Sequence, residues 1–536
     1  MPTMNGSDIL HAALRALGVD CIFGIPSQHN LAFYESLRRL GGIRVIGTRH
    51  EQGAVHAADG YARATGRLGV AVVSTGPGTT NAMTGLYEAA YASSPVLLLT
   101  TQVDTPFLGK GRGYIHDADG QLAMLKAVVR HAECPVRVDD IVPALHRTVQ
   151  AIFTGRPQPG ALEIPTDLLQ ATGDGNLPAF TMPAPRTPDA AALARAAGLL
   201  AAARRPLIWL GGGAQGAAAE VRALAEHLGA PVVSSPNGRG ILPHGHPLYL
   251  GCHTHLPPFR ELLSQADLVL AIGTRFQGLA SQFWSLPMPA NLVHIDADPR
   301  VIGLNFPAAV AIEGDAGLAA QKLREATSPG HAEVGFMATA QATRAALDAT
   351  MTGMVGPDHK AITDIIARLL PADSPVMCDA TTTGNTWGNY LLPIRTPRRA
   401  FYSTGYAIGP ALPVGLGAAV GTESKTLVIH GDGGIMLNIA ELATAADAKI
   451  PAIVCVFNNG GYGGLKALQQ HAGVPPYGGD LLTPDFVTLA RSMGVPGRQV
   501  ATVADFESAF AEALAVEGPF LIETDLTALA PVRLLA

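Results

Sequence analysis

The chain has 536 residues, 48% of them hydrophobic and only 15% charged, with a formal net charge of −6. This length exceeds what one hydrophobic core supports, so we expect about three domains, and the low charged fraction indicates surfaces buried between subunits. The acidic balance argues against nucleic acid as a partner, no apolar run reaches the roughly 20 residues of a membrane span, and no secretory signal opens the sequence, which predicts a cytoplasmic protein.

Short β-branched runs alternate with Ala- and Leu-rich stretches along the chain. Strands buried between helices produce this pattern, so the sequence predicts parallel α/β domains. The predicted strands are Val70–Val73, Val96–Thr100, Leu207–Leu210, Leu268–Ile272, Leu292–Ile295, Leu427–Ile429, Ile453–Phe457 and Phe520–Glu523. The proline-rich segment 177–188 should be an extended linker, because proline interrupts both helices and strands. A second, less sharply defined domain boundary lies within 328–358. We therefore predict three units, at 1–176, 189–328 and 355–536.

In the first unit, the glutamate-containing segment Thr48–Ala54 precedes a predicted strand, and the glycine-rich turn Gly76–Asn81 follows that strand. A glutamate at the start of a helix is by itself usually a solvated group that favours the helix dipole. Polar residues also occur in two nearby loops, and a histidine in such a loop is more often structural than catalytic. These loop residues are Ser27, Gln28, His29, His116, Asp117 and Gln121.

The central unit contains a strand that runs into a glycine turn, Leu207–Gly216. A lone turn of this kind is weak evidence for a dinucleotide site. We therefore predict no flavin. The five cysteines are scattered without CxxC spacing, which argues against a disulfide framework or a structural zinc site.

The third unit carries the strongest motif. Gly431-Asp432-Gly433 follows one predicted strand, and Asn458-Asn459 ends the next strand, 27 positions after Asp432. Both turns should lie at the carboxyl edge of a parallel sheet, where α/β proteins bind ligands. A carboxylate and an amide oxygen suit Mg²⁺ that shares its remaining positions with phosphate oxygens, and glycines let backbone N–H groups approach an anion. The motif predicts a diphosphate–metal site.

These motifs are similar to those of the thiamine-diphosphate-dependent superfamily of acetolactate synthase, benzoylformate decarboxylase and pyruvate oxidase. The spacing of GDG and NN is its signature, and Asn458–Lys466 resembles the corresponding turn of benzoylformate decarboxylase. The resemblance implies pyrimidine-binding, central Rossmann-like and diphosphate-binding α/β domains, with thiamine diphosphate and Mg²⁺ as cofactors. It also implies a homodimer or homotetramer whose active sites lie at the dimer interface.

The resemblance assigns roles to individual residues. Asp432, the side chain of Asn459 and the backbone carbonyl of Gly461 would hold Mg²⁺. Glu51 would be the essential glutamate beside N1′ of the pyrimidine, where its proton allows the cofactor's amino group to act as a base. Ile408 would bend the cofactor, although its segment is one residue shorter than the family's TGYGTLG form and a slip of one position remains open. Further expected cofactor contacts are Asn81, Thr383, Gly384, Asn385, Tyr406, Gly431, Gly433, Gly434 and Tyr462.

On the substrate side, the resemblance makes Gln28, His116 and Gln121 candidate catalytic residues with Glu51. The adjacent His-His pair of pyruvate decarboxylases is absent, and Gln102 resembles a glutamine of acetolactate synthase. The chain most resembles 2-oxo acid decarboxylases typified by 5-guanidino-2-oxopentanoate decarboxylase. We expect non-oxidative decarboxylation through a C2-carbanion/enamine intermediate. The alternatives are an acetolactate synthase-like carboligase and an inactive cofactor-binding paralogue, against which Glu51, Asp432 and Asn459 argue.

Overall fold

The β-branched runs form three parallel sheets covered by helices in the computed structural model, which describes residues 4–330 and 332–532. This confirms the predicted class of three parallel α/β units. The segment 177–188 runs between the first two sheets without helix or strand. Among the helices of the described residues, none has both the length and the apolar composition that crossing a membrane requires.

The first unit contains a six-stranded sheet and a short antiparallel pair. Its strands are β1 (Met4–Asn5), β2 (Cys21–Gly24), β3 (Arg44–Gly47), β4 (Gly69–Val72), β5 (Val96–Gln102), β6 (His131–Glu133), β7 (Gly160–Pro165) and β8 (Thr172–Gly173). Its helices are α1 (Gly6–Ala16), α2 (Leu31–Leu40), α3 (Glu51–Thr65), α4 (Pro77–Ala92), α5 (Gln121–Val128), α6 (Ile141–Phe153) and α7 (Thr166–Gln170). The sheet order is β3-β2-β4-β5-β7-β6, and β1 pairs with β8.

The central unit has a five-stranded sheet. Its strands are β9 (Pro206–Leu210), β10 (Val232–Ser234), β11 (Leu268–Ile272), β12 (Leu292–Asp296) and β13 (Val310–Glu313), in the order β10-β9-β11-β12-β13. Its helices are α8 (Ala190–Ala202), α9 (Ala218–Leu228), α10 (Pro257–Gln265) and α11 (Ala316–Ala326). The helical segment α12 (Val334–Leu369) leads onward and breaks at Gly356, whose φ is +76°, immediately before Pro357. This break lies inside the region predicted to separate the second and third units.

The third unit has another six-stranded sheet. Its strands are β14 (Val376–Cys378), β15 (Ala400–Tyr402), β16 (Thr426–Gly431), β17 (Ala452–Asn458), β18 (Gly497–Val500) and β19 (Phe520–Asp525), in the order β15-β14-β16-β17-β19-β18. Its helices are α13 (Ala411–Thr422), α14 (Asp432–Ile435), α15 (Glu441–Asp447), α16 (Gly463–His471), α17 (Phe486–Ser492) and α18 (Val503–Ala515). Numbered along the chain, the strands of the first and third sheets follow the same order.

The first and third units pack through α3 and α13. A Cβ atom at Gly60 would overlap the carbonyl oxygen of Val414, and one at Gly417 would overlap that of Ala57. Only glycine permits this close approach of the two backbones. The interface thus fixes the two sheets relative to each other within one chain.

The glycine turn of the central unit lines a cavity of about 600 Å³. Residues of all three units surround it, including Arg156, Gly212, Thr274 and Arg398. The ends of β9 and β11 open into this space, at the point where the strand order of the central sheet reverses. The turn therefore faces a cleft rather than a packed core.

Candidate active site

The GDG and NN turns lie side by side because β16 and β17 are neighbours in the third sheet. The backbone N–H of Gly461 donates to Oδ2 of Asp432 at 2.6 Å, and Asp432 is only 2% exposed. Burial raises the pKa of Asp432 above its ordinary value, while the hydrogen bond from Gly461 opposes that shift. The aspartate predicted as a metal ligand is thus buried beside Gly461, the residue whose carbonyl was predicted as another ligand.

Glycines keep this turn free of side chains. A Cβ atom at Gly431 would lie 2.7 Å from Oγ1 of Thr381, and one at Gly433 would lie 2.6 Å from the ring of Tyr462. At Gly434 a Cβ would overlap the carboxylate of Asp379. The result is a backbone cradle that only glycine can form, closely packed by the side chains of Thr381, Tyr462 and Asp379.

The two asparagines are in different environments. Asn458 donates from Nδ2 to Glu523 at 2.9 Å and accepts from the N–H of Gly460 at 3.0 Å, so it shapes the turn. The amide of Asn459 lies against Gly463, where a Cβ atom would overlap it. Asn459 is the asparagine predicted as a metal ligand. Its amide oxygen, a buried carboxylate and a peptide carbonyl form a set of hard oxygen donors that fits Mg²⁺.

The loop after β14 supplies the wall opposite this turn. Thr383 is buried and its Oγ1 has no hydrogen-bond partner among the described residues, whereas Asn385 is exposed. Gly384 packs so closely on the carbonyl of Asp379 that a Cβ atom would overlap it. The hydroxyls that face the two glycine turns are those of Thr381, beside Gly431, and Thr382, whose Oγ1 lies 3.7 Å from a Cβ built on Gly464.

Thr381 and Thr382 were not among the predicted contacts. They follow β14, the strand next to the one that carries GDG, and they lie in the same loop as the predicted Thr383, Gly384 and Asn385.

The turn that carries Tyr406 and Ile408 is held within its own unit through Gly409. Both carboxylate oxygens of Asp379 lie 3.0 Å from the N–H of Gly409, and Nδ2 of Asn438 donates to its carbonyl at 2.9 Å. The side chains of Tyr406 and Ile408 remain 45% and 39% exposed. The predicted cofactor-bending residue is therefore presented to the outside of the single chain on a fixed backbone.

A residue of the first unit, Glu88, also binds the turn that carries Tyr406 and Ile408. The carboxylate of Glu88 accepts from the N–H groups of Thr404 and Gly405 at 2.5 and 2.9 Å. Arg63 bridges Glu88 and Asp59 in the same buried cluster. Burial raises the pKa of Glu88, and the charge of Arg63 partly offsets the shift. A buried ionic cluster in one unit thus orients a loop of another.

Glu51 is the first residue of α3. The side chain of His50 caps this helix by accepting from the N–H of Gln52, and Asn81 donates from Nδ2 to Oε2 of Glu51 at 3.0 Å. The carboxylate of Glu441, on α15, accepts from the N–H groups of the two residues before Glu51, at 3.1 and 3.0 Å. The essential glutamate expected from the sequence is therefore partnered by Asn81, which was predicted to lie in the same site.

The residues predicted to contact the substrate differ in their burial and hydrogen bonding. Gln121 is buried, and its amide accepts from the N–H of Gly76 at 2.7 Å and donates to the carbonyl of Thr101 at 3.0 Å. These bonds use the amide to hold the glycine turn, which favours a positioning role. Gln28 and His116 are exposed. His29, which the sequence placed beside Gln28 without a specific role, is buried and lies against His116.

Comparison with known proteins agrees with this geometry. Residues 4–124, 193–323 and 380–524 match the N-terminal TPP binding, central and C-terminal TPP binding domains of the thiamine pyrophosphate enzymes. The chain is 36% identical to the probable 2-ketoarginine decarboxylase AruI of Pseudomonas aeruginosa, over 97% of this chain and 94% of that protein. It is 31% identical to a probable acetolactate synthase large subunit of Methanococcus aeolicus, over 97% and 92%.

A third relative is the acetolactate synthase isozyme 2 large subunit of Escherichia coli, 30% identical over 98% of this chain and 96% of that protein. The matched domains have the same order as the three sheets, with the Glu51 segment in the first and both glycine turns in the third. The cradle beside Asp432 accordingly belongs to a cofactor-binding domain. The chain is a member of the thiamine pyrophosphate enzyme family.

Proposed function

We propose that the protein is a Mg²⁺-dependent decarboxylase that splits a 2-oxo acid into CO₂ and an aldehyde. The observation that carries the proposal is the contact of buried Asp432 with the N–H of Gly461, at adjacent strand ends and beside a turn that only glycines can form. When bound, thiamine diphosphate supplies the nucleophilic carbon and the electron sink for loss of CO₂. Asp432, Asn459 and the carbonyl of Gly461 would hold the Mg²⁺ ion that the cofactor requires.

Glu51 holds a proton for N1′ of the pyrimidine. Asn81 donates to one carboxylate oxygen of Glu51, which leaves the other oxygen for the cofactor. The hydrogen bonds from Arg49 and His50 to Glu441 fix the backbone that leads into Glu51. A group that exchanges a proton during the reaction must be held in place, because general acid–base catalysis depends on its distance from the reacting atom.

The active species is a homodimer or a homotetramer built from such dimers, in which Glu51 of one subunit faces the Asp432 turn of another. A group of exposed apolar side chains around the 403–409 turn supports this assembly: Tyr87, Tyr91, Tyr406, Ile408, Met436 and Leu437. The rings of Tyr87 and Tyr91 lie 5.6 Å apart, and a Cβ at Gly409 would be 2.8 Å from Leu437. Apolar surface concentrated beside a functional site is typical of protein interfaces.

Product analysis tests the reaction. Purified protein with thiamine diphosphate and Mg²⁺ is incubated with pyruvate, branched and aromatic 2-oxo acids, and 2-ketoarginine, the substrate named for one relative. Release of one aldehyde per CO₂ is expected. Acetohydroxy acids as main products would instead establish a carboligase, which the similarity to acetolactate synthases favours as the second candidate. Absence of CO₂ from every substrate, despite cofactor binding in calorimetry, would identify an inactive paralogue.

A further inference from the structure

A small internal cavity lies where the central unit meets the third unit. Its volume is about 10 Å³, so it has room for a single small particle, such as one water molecule or one monatomic ion. The loop after β10, the first half of α12 and the loop after β14 form its wall. The polar residues of this wall are Arg239, His244, His253, Arg344, Asp348 and Tyr390.

Two glycines bring these segments together. Gly240 has a φ of +87°, and a Cβ atom there would overlap the carbonyl oxygen of Thr396 in the third unit. Gly251 has a φ of +100°, and a Cβ atom there would lie 2.8 Å from Nδ1 of His253. Only glycine tolerates both this conformation and this crowding. The two positions thus press the central unit onto the third and leave room for the His253 ring at the cavity.

His253 has no hydrogen-bond partner for either ring nitrogen among the described residues, although it is only 3% exposed. Its ring packs against that of Tyr390, with the centroids 5.5 Å apart. A buried polar side chain without a partner is uncommon in folded proteins, because the lost hydrogen bonds to water are not replaced. A particle in the cavity that this ring lines would supply a partner.

The wall of the cavity also carries positive charge. Arg239 is 5% exposed and donates to the carbonyls of Gly388, at 3.2 Å, and Leu392. Arg344 donates to the carbonyl of His246 at 3.3 Å. Neither guanidinium forms an ion pair with a carboxylate of the described residues. Because buried charges in proteins are normally paired, these two groups favour a counterion.

The other titratable groups of the wall do not neutralise this charge. Burial lowers the pKa of His244 to about 4 and that of His253 to about 3, and nearby positive groups contribute to both shifts, so both rings are neutral at pH 7. Burial raises the pKa of the thiol and phenol groups in the wall, which keeps them protonated. The acid is Asp348, whose pKa burial also raises, while Arg344 opposes that shift. Two guanidinium groups thus face at most one carboxylate.

We propose that the cavity binds one halide ion, held by Arg239, Arg344 and His253. Guanidinium groups offer only hydrogen-bond donors, and a neutral imidazole can turn its N–H toward the same point, which suits an anion that accepts from every side. A water molecule would satisfy His253 but leave both guanidinium charges without a counterion. Polyatomic anions such as sulfate or a carboxylate exceed the space. This inference does not depend on the proposed reaction.

The bound ion stabilises the joint between the two units. Besides the contacts of Arg239 with the loop after β14, Sγ of Cys252 donates to the carbonyl of Asn389 in that loop at 3.3 Å. The same loop begins with Thr381 and Thr382, beside the glycine turns. An ion that neutralises Arg239 therefore holds a segment that continues into the cofactor site, and its effect should appear as stability.

Thermal melting in different salts tests the site. The purified protein, with thiamine diphosphate and Mg²⁺ supplied as gluconate, is melted while sodium chloride replaces sodium gluconate at constant ionic strength. Gluconate is too large for the cavity, so the melting temperature should rise with chloride. The expected rise is about 1 °C for each tenfold increase above the dissociation constant, given the unfolding entropy of a chain of this length. Sodium bromide should act in the same way.

Arg344→Gln removes one of the two charges and should abolish this rise. Arg344→Lys keeps the charge and should retain part of it. Arg324→Gln, at an exposed position of α11, is the matched control and should respond like the wild type. The comparison among these variants separates binding at the cavity from general effects of salt on stability.

A crystal of the wild-type protein grown in bromide locates the ion directly. Anomalous scattering should give a peak within hydrogen-bonding distance of Arg239 and Arg344. Electron density for a water molecule without a bromide signal would overturn the proposal, as would equal melting temperatures in chloride and gluconate, or an undiminished rise in Arg344→Gln. If Arg344→Gln does not fold, the bromide signal of the wild type decides the question alone.

Discussion

The N–H of Gly409 lies 3.0 Å from both carboxylate oxygens of Asp379. Oδ2 of Asp379 also lies 3.2 Å from Nδ1 of His430, whose Nε2 accepts from the N–H of Leu412 at 2.8 Å. One buried acid thus connects the loop that walls the glycine cradle to the turn that presents Ile408.

Replacing Asp379 by Asn should weaken both the fold and cofactor binding. In either orientation the NH₂ group of the asparagine would lie about 3.0 Å from the N–H of Gly409, and two donors that face each other at a buried site cost about 1–3 kcal/mol. We expect a lower melting temperature and, by calorimetry, a larger dissociation constant for thiamine diphosphate. Asp373→Asn, at an exposed position just before β14, is the control. Identical behaviour of the two variants would show that the Gly409 contact is unimportant.

Replacing Glu51 by Gln should abolish turnover but keep the fold. Glutamine can still accept from Asn81, yet it carries no acidic proton for the pyrimidine, so kcat should fall by about 100-fold or more. Steady-state CO₂ release and thermal melting measure the two effects. Glu35→Gln removes an exposed carboxylate that pairs with Arg38 and should leave kcat unchanged. Substantial turnover by the Glu51 variant would remove this residue from the mechanism.

Replacing Leu437 by Asp should dissociate the proposed dimer. Leu437 is 51% exposed in the single chain, beside Gly409, and a charge there would be buried without a partner in an assembled site. Light scattering should show monomers, and activity should be lost with them. Val334→Asp, at a position 86% exposed at the start of α12, is expected to preserve the assembly. An active dimer of the Leu437 variant would place the interface elsewhere.

Asp298 should stabilise the protein in a pH-dependent manner. Its carboxylate receives two hydrogen bonds from the side chain of Arg300, at 2.9 Å each, and one from Arg156 of the first unit at 3.2 Å. The Arg300 hydrogen bonds are the largest influence holding the pKa of Asp298 below its ordinary value, and burial opposes them. The folded state therefore binds this proton less readily than the unfolded chain, and the stabilisation is present above the unfolded pKa of roughly 3.9 and lost as pH falls below it.

Asp298→Asn should accordingly lower the melting temperature at pH 7, and the difference from the wild type should shrink as the pH approaches 3. Melting curves of both proteins across this range measure the effect. For Glu325→Gln, at an exposed position of α11, the difference in melting temperature from the wild type should not shrink in this way as the pH falls. A difference independent of pH would show that packing rather than charge accounts for the loss.

The sequence predicted the three sheets because buried parallel strands are rich in β-branched residues over short runs. It predicted Asp432 and Asn459 because their positions follow neighbouring strands at a fixed spacing, and Gly461 because of the resemblance to the family. It did not single out Thr381 and Thr382, which lie beside the glycine turns, because the loop after β14 has no such spacing to the GDG turn. It also missed Glu88 and Glu441, whose partners are backbone N–H groups more than 300 positions away in sequence. Backbone donors leave no signature in residue type.

Glu441 follows the GDGG turn closely in sequence, and its carboxylate accepts hydrogen bonds from the N–H groups of the two residues before Glu51. In the proposed dimer, each subunit contributes Glu51 to one active site and its Asp432 turn to the other. The carboxylate of Glu441 therefore connects two segments of one subunit that belong to two separate reaction centres.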